Sequence, residues 1–296
     1  MINLLKEEQC GVISQLCSLE VPMPKSSISP DTQKVLDNHS KVFETPKGLL
    51  PICDHDHAIH FPGSVPPNIR PYRYPFAQRS EIERMVAKML EVGIIQPSQS
   101  SSSAQVVLVL KKDGSWCMCP DYKEIKKLTI KDKFPIPVID ELLDELHGAI
   151  YFSKLGVHAG YHQIIMKTED IPKTTFRNYE GHNEFLVMPF FLTNAPSTFK
   201  GLMNSIFKPF LGKFVLVFFD NILIYNKSWK DHLQHVDRVL RLLDEKQLYV
   251  RTYKCFFGVQ EVEYSGHIVP HEGVKVDPKQ QQVIQLLKDN LTLAQN

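Results

Sequence analysis

Asp220 and Asn221 stand between two apolar segments, residues 214–219 and 222–225, whose aromatic and β-branched side chains are typical of strands. A tight turn at this point would present both side chains together at the edge of a sheet. Asp and Asn also favour turns for local backbone reasons, so the pair alone indicates only a hairpin. The chemistry open to an acidic hairpin tip is cation binding, because hard ions such as Mg²⁺ prefer carboxylate oxygens.

A second candidate is a lysine-rich segment between Val106 and Pro135. It carries seven lysines against four acidic residues, a local balance of 7 − 4 = +3, and it includes Trp116, Tyr122 and Phe134. Positive charge interleaved with aromatic rings suits contacts with the phosphates of a nucleic acid. For the segment taken alone, a solvated charged face is the simpler interpretation. The lysines are Lys111, Lys112, Lys123, Lys126, Lys127, Lys131 and Lys133.

The cysteines and histidines do not form a recognisable metal site. Six cysteines show neither a CxxC pair nor the spacing of a disulfide framework, so we expect reduced thiols in an intracellular protein. Cys117 and Cys119 fit two neighbouring thiols on a strand. His158 and His162 have the i, i+4 spacing of a metal-binding pair on a helix, but Gly160 lies between them. His55, His57 and His60 alternate as ordinary histidines on a surface strand would.

The bulk composition is that of an ordinary globular protein, long enough for two or three packed subdomains. Of the 296 residues, 43% are hydrophobic and 23% are charged, and the formal net charge is +1. No apolar run approaches the roughly 18 residues that a membrane helix needs, and we therefore expect no membrane partner.

The elements that must position these residues alternate irregularly and include several tight hairpins, which predicts an α+β fold rather than a doubly wound parallel sheet. Residues 105–110 and 116–122 form the clearest hairpin, joined by the turn at Asp113-Gly114. Helical spacing over residues 80–91 ends at Gly93. Further strands are predicted at 150–155, 161–167, 174–178, 183–188, 261–264 and 267–269, and further helices at 31–43, 137–147, 194–210, 229–248 and from 278 onward.

Eight stretches, occurring in the expected order, resemble the reverse transcriptase of gypsy-class LTR retrotransposons. They are DHDHAIH (54–60), NIRPYRYP (68–75), KKDGSW (111–116), PVIDELLDELHGAIYFSKL (137–155), YHQIIMKTEDIPKTTFRNYEGHNEFLVMPF (161–190), FVLVFFDNILIY (214–225), KCFFG (254–258) and EYSGHI (263–268). The resemblance runs from about residue 30 to about residue 290. It implies a right-hand polymerase fold with fingers, palm and a partial thumb, in which the palm is a small antiparallel sheet backed by helices.

On this resemblance the chain divides into four parts. Residues 1–50 would form a linker with a short helix, 51–149 the fingers with an extended lead-in, 150–258 the palm, and 259–296 the primer-grip hairpin with the start of the thumb. Within the palm, residues 163–190 return to the fingers. A complete element would continue through the rest of the thumb, RNase H and integrase, so we interpret the sequence as a truncated copy.

The resemblance implies RNA-templated synthesis of DNA from dNTPs on a DNA primer. Two Mg²⁺ or Mn²⁺ ions would activate the primer 3′ hydroxyl and steady the leaving pyrophosphate, held by three aspartates and the Val157 carbonyl. Here Asp220 remains, whereas Asn221 replaces the second aspartate of the hairpin and Gly156 replaces the one on the first palm strand. An amide adds no negative charge, so two close dications would be poorly neutralised.

The other positions implied for nucleotide and primer binding are partly changed and partly kept. Cys117 stands where the family has an arginine on the incoming nucleotide, and Phe191 stands where it has a glycine. The kept residues are Lys111, Lys112, Tyr161 (the gate under the ribose), Phe190 and Lys254 for the nucleotide, and Tyr264, Gly266 and His267 for the primer grip.

These departures leave three hypotheses. The first is a reverse transcriptase domain by descent that is inactive or severely impaired. The second is an active polymerase that tolerates the changes, for example with Mn²⁺. The third is a non-enzymatic binder of RNA–DNA or other primer–template nucleic acid. For the protein in general we expect an intracellular location, in a cytoplasmic particle or in the nucleus.

Overall fold

The computed structural model describes residues 28–46, 48–49, 55–61, 68–69, 73–110, 114, 116–133, 144–157, 160–218, 220–264, 267–270 and 275–276. These residues form two compact units. The first unit comprises the described residues within 45–134 and 159–202, and the second comprises those within 23–44, 135–158 and from 203 onward.

Mostly antiparallel sheets, in which only the β2–β5 pair of the described strands is parallel, and irregularly placed helices confirm the predicted α+β fold. The strands are β1 (Ile95–Pro97), β2 (Ala104–Leu110), β3 (Trp116–Asp121), β4 (Tyr151–Gly156), β5 (Phe176–Arg177), β6 (His182–Phe185), β7 (Val215–Phe218), β8 (Asn221–Asn226), β9 (Phe256–Val259), β10 (Glu261–Tyr264), β11 (His267–Pro270) and β12 (Lys275–Val276). The α-helices are α1 (Pro30–Asn38), α2 (Phe76–Val92), α3 (Lys123–Leu128), α4 (Ala195–Phe207) and α5 (Trp229–Glu245), and short 3₁₀ helices span Ser40–Phe43, Gly160–Gln163, Thr168–Thr174 and Thr252–Lys254.

The first unit is built on a five-stranded sheet in the order β1-β6-β5-β2-β3. The predicted β2–β3 hairpin is confirmed, with Gln105 opposite Asp121 and Leu110 opposite Trp116. The predicted end of the helix at Gly93 is also confirmed. Gly93 has a φ of 78°, and its N–H donates to the carbonyls of Met89 and Leu90, a helix ending that glycine favours.

The second unit is built on a four-stranded sheet in the order β7-β8-β4-β9, and a smaller sheet joins β10, β11 and β12. Strand β4 is central and almost completely buried. Helix α5 is capped at its N-terminus by Ser228, whose hydroxyl accepts the N–H of Asp231 at 3.2 Å. The apolar face of this helix is buried at Val236, Val239, Leu240 and Leu243.

The predicted strand at residues 161–167 is wrong over its first part. Gly160–Gln163 is a 3₁₀ helix, and only single bridges follow, from Ile165 to Val187 and from Met166 to His57. The physical reason is that the hydrogen bonds of this segment are shared between two partners, residues 57 and 186–188, so no continuous ladder forms. Most of the predicted helix 137–147, and all of the one from 278 onward, lie outside the described residues.

None of the helices in the described part of the chain combines the length and the hydropathy needed to cross a bilayer.

Candidate functional site

The predicted hairpin tip exists, and the central strand fixes it in place. Asp220 forms the turn between β7 and β8, and its carbonyl accepts the backbone N–H of Val157 at 2.9 Å. Gly156, the last residue of β4, pairs directly with Asn221, the first residue of β8. The structure therefore brings together the three positions at which the resemblance implies metal-binding aspartates, together with Val157.

The Asp220 carboxylate is engaged on both oxygens. The side-chain amide of Asn221 donates to its Oδ1 at 3.2 Å. The ammonium of Lys254 lies 3.9 Å from its Oδ2, in an ion pair whose side chains are 24% (Lys254) and 37% (Asp220) exposed. An ion pair this open to solvent stabilises the fold by less than about 1 kcal/mol, so its importance lies in where it places the charge.

Lys254 reaches this point because of the strand order. The 3₁₀ helix Thr252–Lys254 immediately precedes β9, which pairs with β4 on the side opposite β8. The N–H of Arg251 donates to the carbonyl of Gly156 at 2.9 Å, which anchors this turn against the end of β4. Lys254 and Asp220 therefore flank the same strand end from its two sides.

The residues at the hairpin tip do not fit a pair of divalent ions. Asp220 supplies one carboxylate, Asn221 supplies an uncharged amide and Gly156 supplies no side chain. No group of three or more His, Cys, Asp or Glu side chains in the described part of the chain could hold a metal ion. The ligand role of the Val157 carbonyl stays a prediction, and the residue itself forms a bridge with Val250.

The predicted nucleotide-binding residues of the first unit form an aromatic cluster. The Tyr161 ring is 8% exposed and lies edge-on to Phe190, with ring centroids 4.8 Å apart. The centroid of the Tyr161 ring lies 5.4 Å from that of Phe199, and the ring centroids of Phe190 and Phe191 are 5.1 Å apart. Phe191 thus places a bulky ring beside Phe190 where the resemblance implies a glycine, which leaves less room for backbone to approach a sugar.

Cys117 lies in β3, paired with Val109 of β2. Its Sγ is 3.7 Å from the Sγ of Cys119, so two thiols occupy the region where the resemblance implies a phosphate-binding guanidinium. Lys111, Lys112 and Gly266 lie outside the described residues, as do the side chains of Tyr264 and His267, whose backbones pair across β10 and β11.

A buried chain of polar side chains, which sequence reasoning missed, lies beneath the hairpin. The hydroxyl of Ser153 accepts the N–H of Gly258 at 3.0 Å and lies 2.7 Å from Nε2 of His232. Nδ1 of His232 lies 3.0 Å from Oδ1 of Asn226, whose amide nitrogen lies 2.7 Å from Nδ1 of His235. The sequence does place His232 and His235 six and nine residues after Asn226, which is the available signal for this chain of side chains. It gives no signal for Ser153, which lies on a strand far away in the sequence.

The hydrogen bonds of this chain determine the protonation of its central histidine. Because Oδ1 of Asn226 can only accept, His232 carries its proton on Nδ1 and accepts the Ser153 hydroxyl at Nε2. Burial, with a smaller contribution from the nearby His235, lowers the pKa of His232 to about 4. The Ser–His–Asn order resembles a hydrolytic triad, but Ser153 and His232 are both 0% exposed, so the chain is structural.

His57 departs from the expectation of a surface histidine, because it is 1% exposed. Its backbone pairs with residues 165–167, and its Nδ1 lies 2.8 Å from the hydroxyl of Thr198. Burial lowers the pKa of His57 to about 4, against the opposing charge of Asp170. The alternation of histidines at 55–60 predicted a surface strand, whereas the segment forms only the single bridge from His57 to Met166, and the His57 side chain faces inward.

Comparisons with known proteins agree with one another. The family model described as reverse transcriptase (RNA-dependent DNA polymerase) matches residues 109–269. The chain is 37% identical to the Pol polyprotein of transposon opus of Drosophila melanogaster over 218 residues, covering 72% of this chain and 22% of that protein. It is 30% identical to the Pol polyprotein of the Drosophila transposon gypsy over 266 residues, covering 88% and 26%.

Solved structures with the same fold include the foamy viral protease–reverse transcriptase in complex with an RNA/DNA hybrid. That structure superimposes with a TM-score of 0.77 at 20% identity, covering 90% of this chain and 38% of that one. The same viral protein in complex with double-stranded DNA gives a TM-score of 0.78. The chain spans about a fifth to a quarter of the length of the curated relatives that it matches.

Proposed function

The chain belongs to the reverse transcriptase (RNA-dependent DNA polymerase) family, with retrotransposon Pol polyproteins among its relatives, and on that premise we propose that it binds primer–template nucleic acid without extending it. In this proposal it is the fingers-and-palm part of a reverse transcriptase domain that has lost polymerase chemistry. RNA template, DNA primer and dNTP are the ligands of the ancestral reaction, and divalent ions such as Mg²⁺ are its cofactors.

The observation that carries the loss of chemistry is the single carboxylate at the hairpin tip. Phosphoryl transfer depends on positioning and on metal ions that neutralise developing charge, and two close dications need several carboxylates to hold them. Asp220 offers one carboxylate, and its direct neighbours are Asn221 and Gly156. Without both ions, neither the attacking hydroxyl nor the leaving pyrophosphate is stabilised.

Binding of nucleic acid does not require those ions to be held. Foamy viral relatives of the same fold are known in complex with an RNA/DNA hybrid and with double-stranded DNA. The chain keeps its lysine-rich segment, in which Lys123, Lys126, Lys127, Lys131 and Lys133 lie among the described residues. Contacts of this kind release counterions from the nucleic acid, so they give binding that depends on charge rather than on sequence.

The test is fluorescence anisotropy of an RNA–DNA duplex titrated with the chain at a series of salt concentrations. We expect binding at low salt that weakens steeply as salt is added. A variant with Lys126, Lys131 and Lys133 all changed to Gln is expected to lower the slope of log K against log salt by roughly 2 to 3, because each phosphate contact adds about 0.9.

A matched control removes the same number of positive charges from lysines outside the lysine-rich segment. Lys34, Lys41 and Lys246 lie in the second unit, and all three are exposed. Changing these three to Gln is expected to leave the slope nearly as it is. Absence of binding at low salt would overturn the proposal, and extension of the primer in the same mixture would favour an active polymerase instead.

A further inference from the structure

Lys254 fills the space beside Gly156. A Cβ placed on Gly156 would lie 2.6 Å from the Cβ of Lys254 and 3.1 Å from its Cδ. Both Cβ atoms are fixed by their backbones, so rotation of a flexible side-chain end does not relieve such a clash. The stem of the lysine therefore occupies the place in which the side chain of an aspartate at position 156 would begin.

The head of the same side chain reaches the remaining carboxylate. The Lys254 ammonium lies 3.9 Å from Oδ2 of Asp220, while the Asn221 amide donates to Oδ1. Each carboxylate oxygen thus already faces a positive or partly positive group. A divalent ion that used Asp220 as a ligand would meet repulsion from the ammonium at close range.

We propose that, with the other two carboxylates absent, the retained Lys254 ammonium serves in place of divalent ions as the counter-charge of Asp220, which makes the hairpin tip independent of metal. The inference rests on the proposed function, and it adds that the Lys254 ammonium occupies the role of the ions at Asp220. Lys254 acts here as a positioning residue, because it neutralises and holds Asp220 without contacting a reacting group.

The charges at the tip support the replacement. Gly156 and Asn221 carry no charge, so the tip has one negative side chain, and one ammonium is enough to neutralise it. Two divalent ions at the same place would leave a large excess of positive charge. A lysine tethered to the adjacent strand is also always present, whereas an ion must be bound from solution.

The test is titration with Mn²⁺ followed by the electron paramagnetic resonance signal of the free ion. We expect the wild-type chain and Asp220→Asn to bind the same amount of Mn²⁺. Lys254→Glu places a second carboxylate beside Asp220 and is expected to bind Mn²⁺ about tenfold more tightly than the wild type, because affinity rises with the number of charged oxygen ligands. Adding Asp220→Asn to this variant is expected to remove the gain.

Lys246→Glu is the matched control, since Lys246 is an exposed lysine at the end of α5 and its change to Glu alters the net charge equally. It is expected to behave as the wild type does. Binding of Mn²⁺ by the wild type that Asp220→Asn removes overturns the inference, and so does the lack of any gain in Lys254→Glu. If circular dichroism shows that Lys254→Glu does not fold, Lys254→Met is used instead. Because this variant removes the ammonium from Asp220, the inference requires it to bind Mn²⁺ in a way that Asp220→Asn abolishes.

A second readout separates this inference from the proposed function. Affinity for the RNA–DNA duplex is measured in Mg²⁺ and in EDTA at equal ionic strength, and we expect the two values to agree within about twofold, because only the screening of phosphates should matter. Binding that is lost in EDTA overturns the role of Lys254. Absence of binding in both overturns the proposed function, and the Mn²⁺ titration still decides the inference.

Discussion

Gly156 and Asn221 face each other directly across the β4–β8 pair, as the last paired residues of the two strands. Side chains of direct antiparallel partners lie on the same face of a sheet, with Cβ atoms about 4.5–5.5 Å apart. The two positions at which aspartates are implied but absent are therefore neighbours in space, and Asp220 is adjacent to one of them. The two departures from the implied aspartates are therefore concentrated at one end of one strand pair, while Phe152, Leu155 and Ile222 in the same strands remain fully buried.

The first prediction concerns the space beside Gly156. Gly156→Ala places a Cβ 2.6 Å from that of Lys254 and is expected to lower the free energy of unfolding by about 1–3 kcal/mol, the usual cost of overpacking. Gly181→Ala is the control, since a Cβ there meets nothing within 4 Å and Gly181 does not have a positive φ. Urea unfolding of the two variants measures the difference, and equal stabilities would show that the Lys254 backbone moves freely.

The second prediction concerns pH. Burial lowers the pKa of His57 and of His232 to about 4, from 6.5 in the unfolded chain. Between these values the unfolded chain binds protons that the folded chain does not, so the stabilisation is fully present above about pH 6.5 and is lost as the pH falls towards 4. Each histidine is expected to remove about 2 kcal/mol of the free energy of unfolding between pH 7 and pH 5.

Chemical unfolding at the two pH values checks this dependence. His232→Gln and His57→Gln are each expected to remove part of the pH-dependent loss, although both start from a lower stability at pH 7. His147→Gln alters an exposed histidine and should leave the loss unchanged. A wild-type stability that is flat between pH 7 and pH 5 would contradict the burial of the two rings.

The third prediction separates structure from catalysis in the Ser153–His232 chain. Ser153→Ala leaves the N–H of Gly258 and Nε2 of His232 without their shared partner in a buried site. We expect a loss of about 1–3 kcal/mol in the free energy of unfolding and no change in nucleic-acid affinity. Ser101→Ala, at an exposed serine, should have little effect on either quantity. A hydrolytic activity that disappears in Ser153→Ala would contradict the structural role.

The fourth prediction concerns Cys117. Cys117→Arg restores a guanidinium to β3, and we expect tighter binding of an RNA–DNA duplex with a salt slope steeper by roughly 1, as for one added phosphate contact. Cys117→Gln introduces a polar side chain without the charge and should leave the slope as it is. An unchanged slope in Cys117→Arg would place this strand away from the nucleic acid.

The local parts of the fold could be predicted from the sequence. The apolar segments on either side of Asp220 and Asn221 predicted the hairpin. The spacing of apolar residues predicted α2 and α5, and Gly93 predicted the end of α2. These features depend on residues a few positions apart, so a single sequence contains their signal. The prediction was wrong at Tyr161, where packing of the ring against Phe190 and Phe199 accompanies a 3₁₀ helix instead of a strand.

The contacts that define the site could not be predicted in the same way. Lys254 meets Gly156 and Asp220 only because β9 lies beside β4, and that strand order is not contained in any local pattern. The same holds for Ser153 and His232, which are 79 residues apart in the chain. The resemblance to a known family pointed to the positions of the site but not to the contact between Lys254 and Asp220.

The most direct test of the central claim is primer extension on a poly(rA)–oligo(dT) hybrid, with Mg²⁺ and with Mn²⁺, beside an intact reverse transcriptase. We expect the wild-type chain to bind the hybrid but to add no more nucleotides than Asp220→Ala does under either ion. Extension by the wild type that Asp220→Ala abolishes would contradict it, because one carboxylate would then be enough to assemble a working metal site.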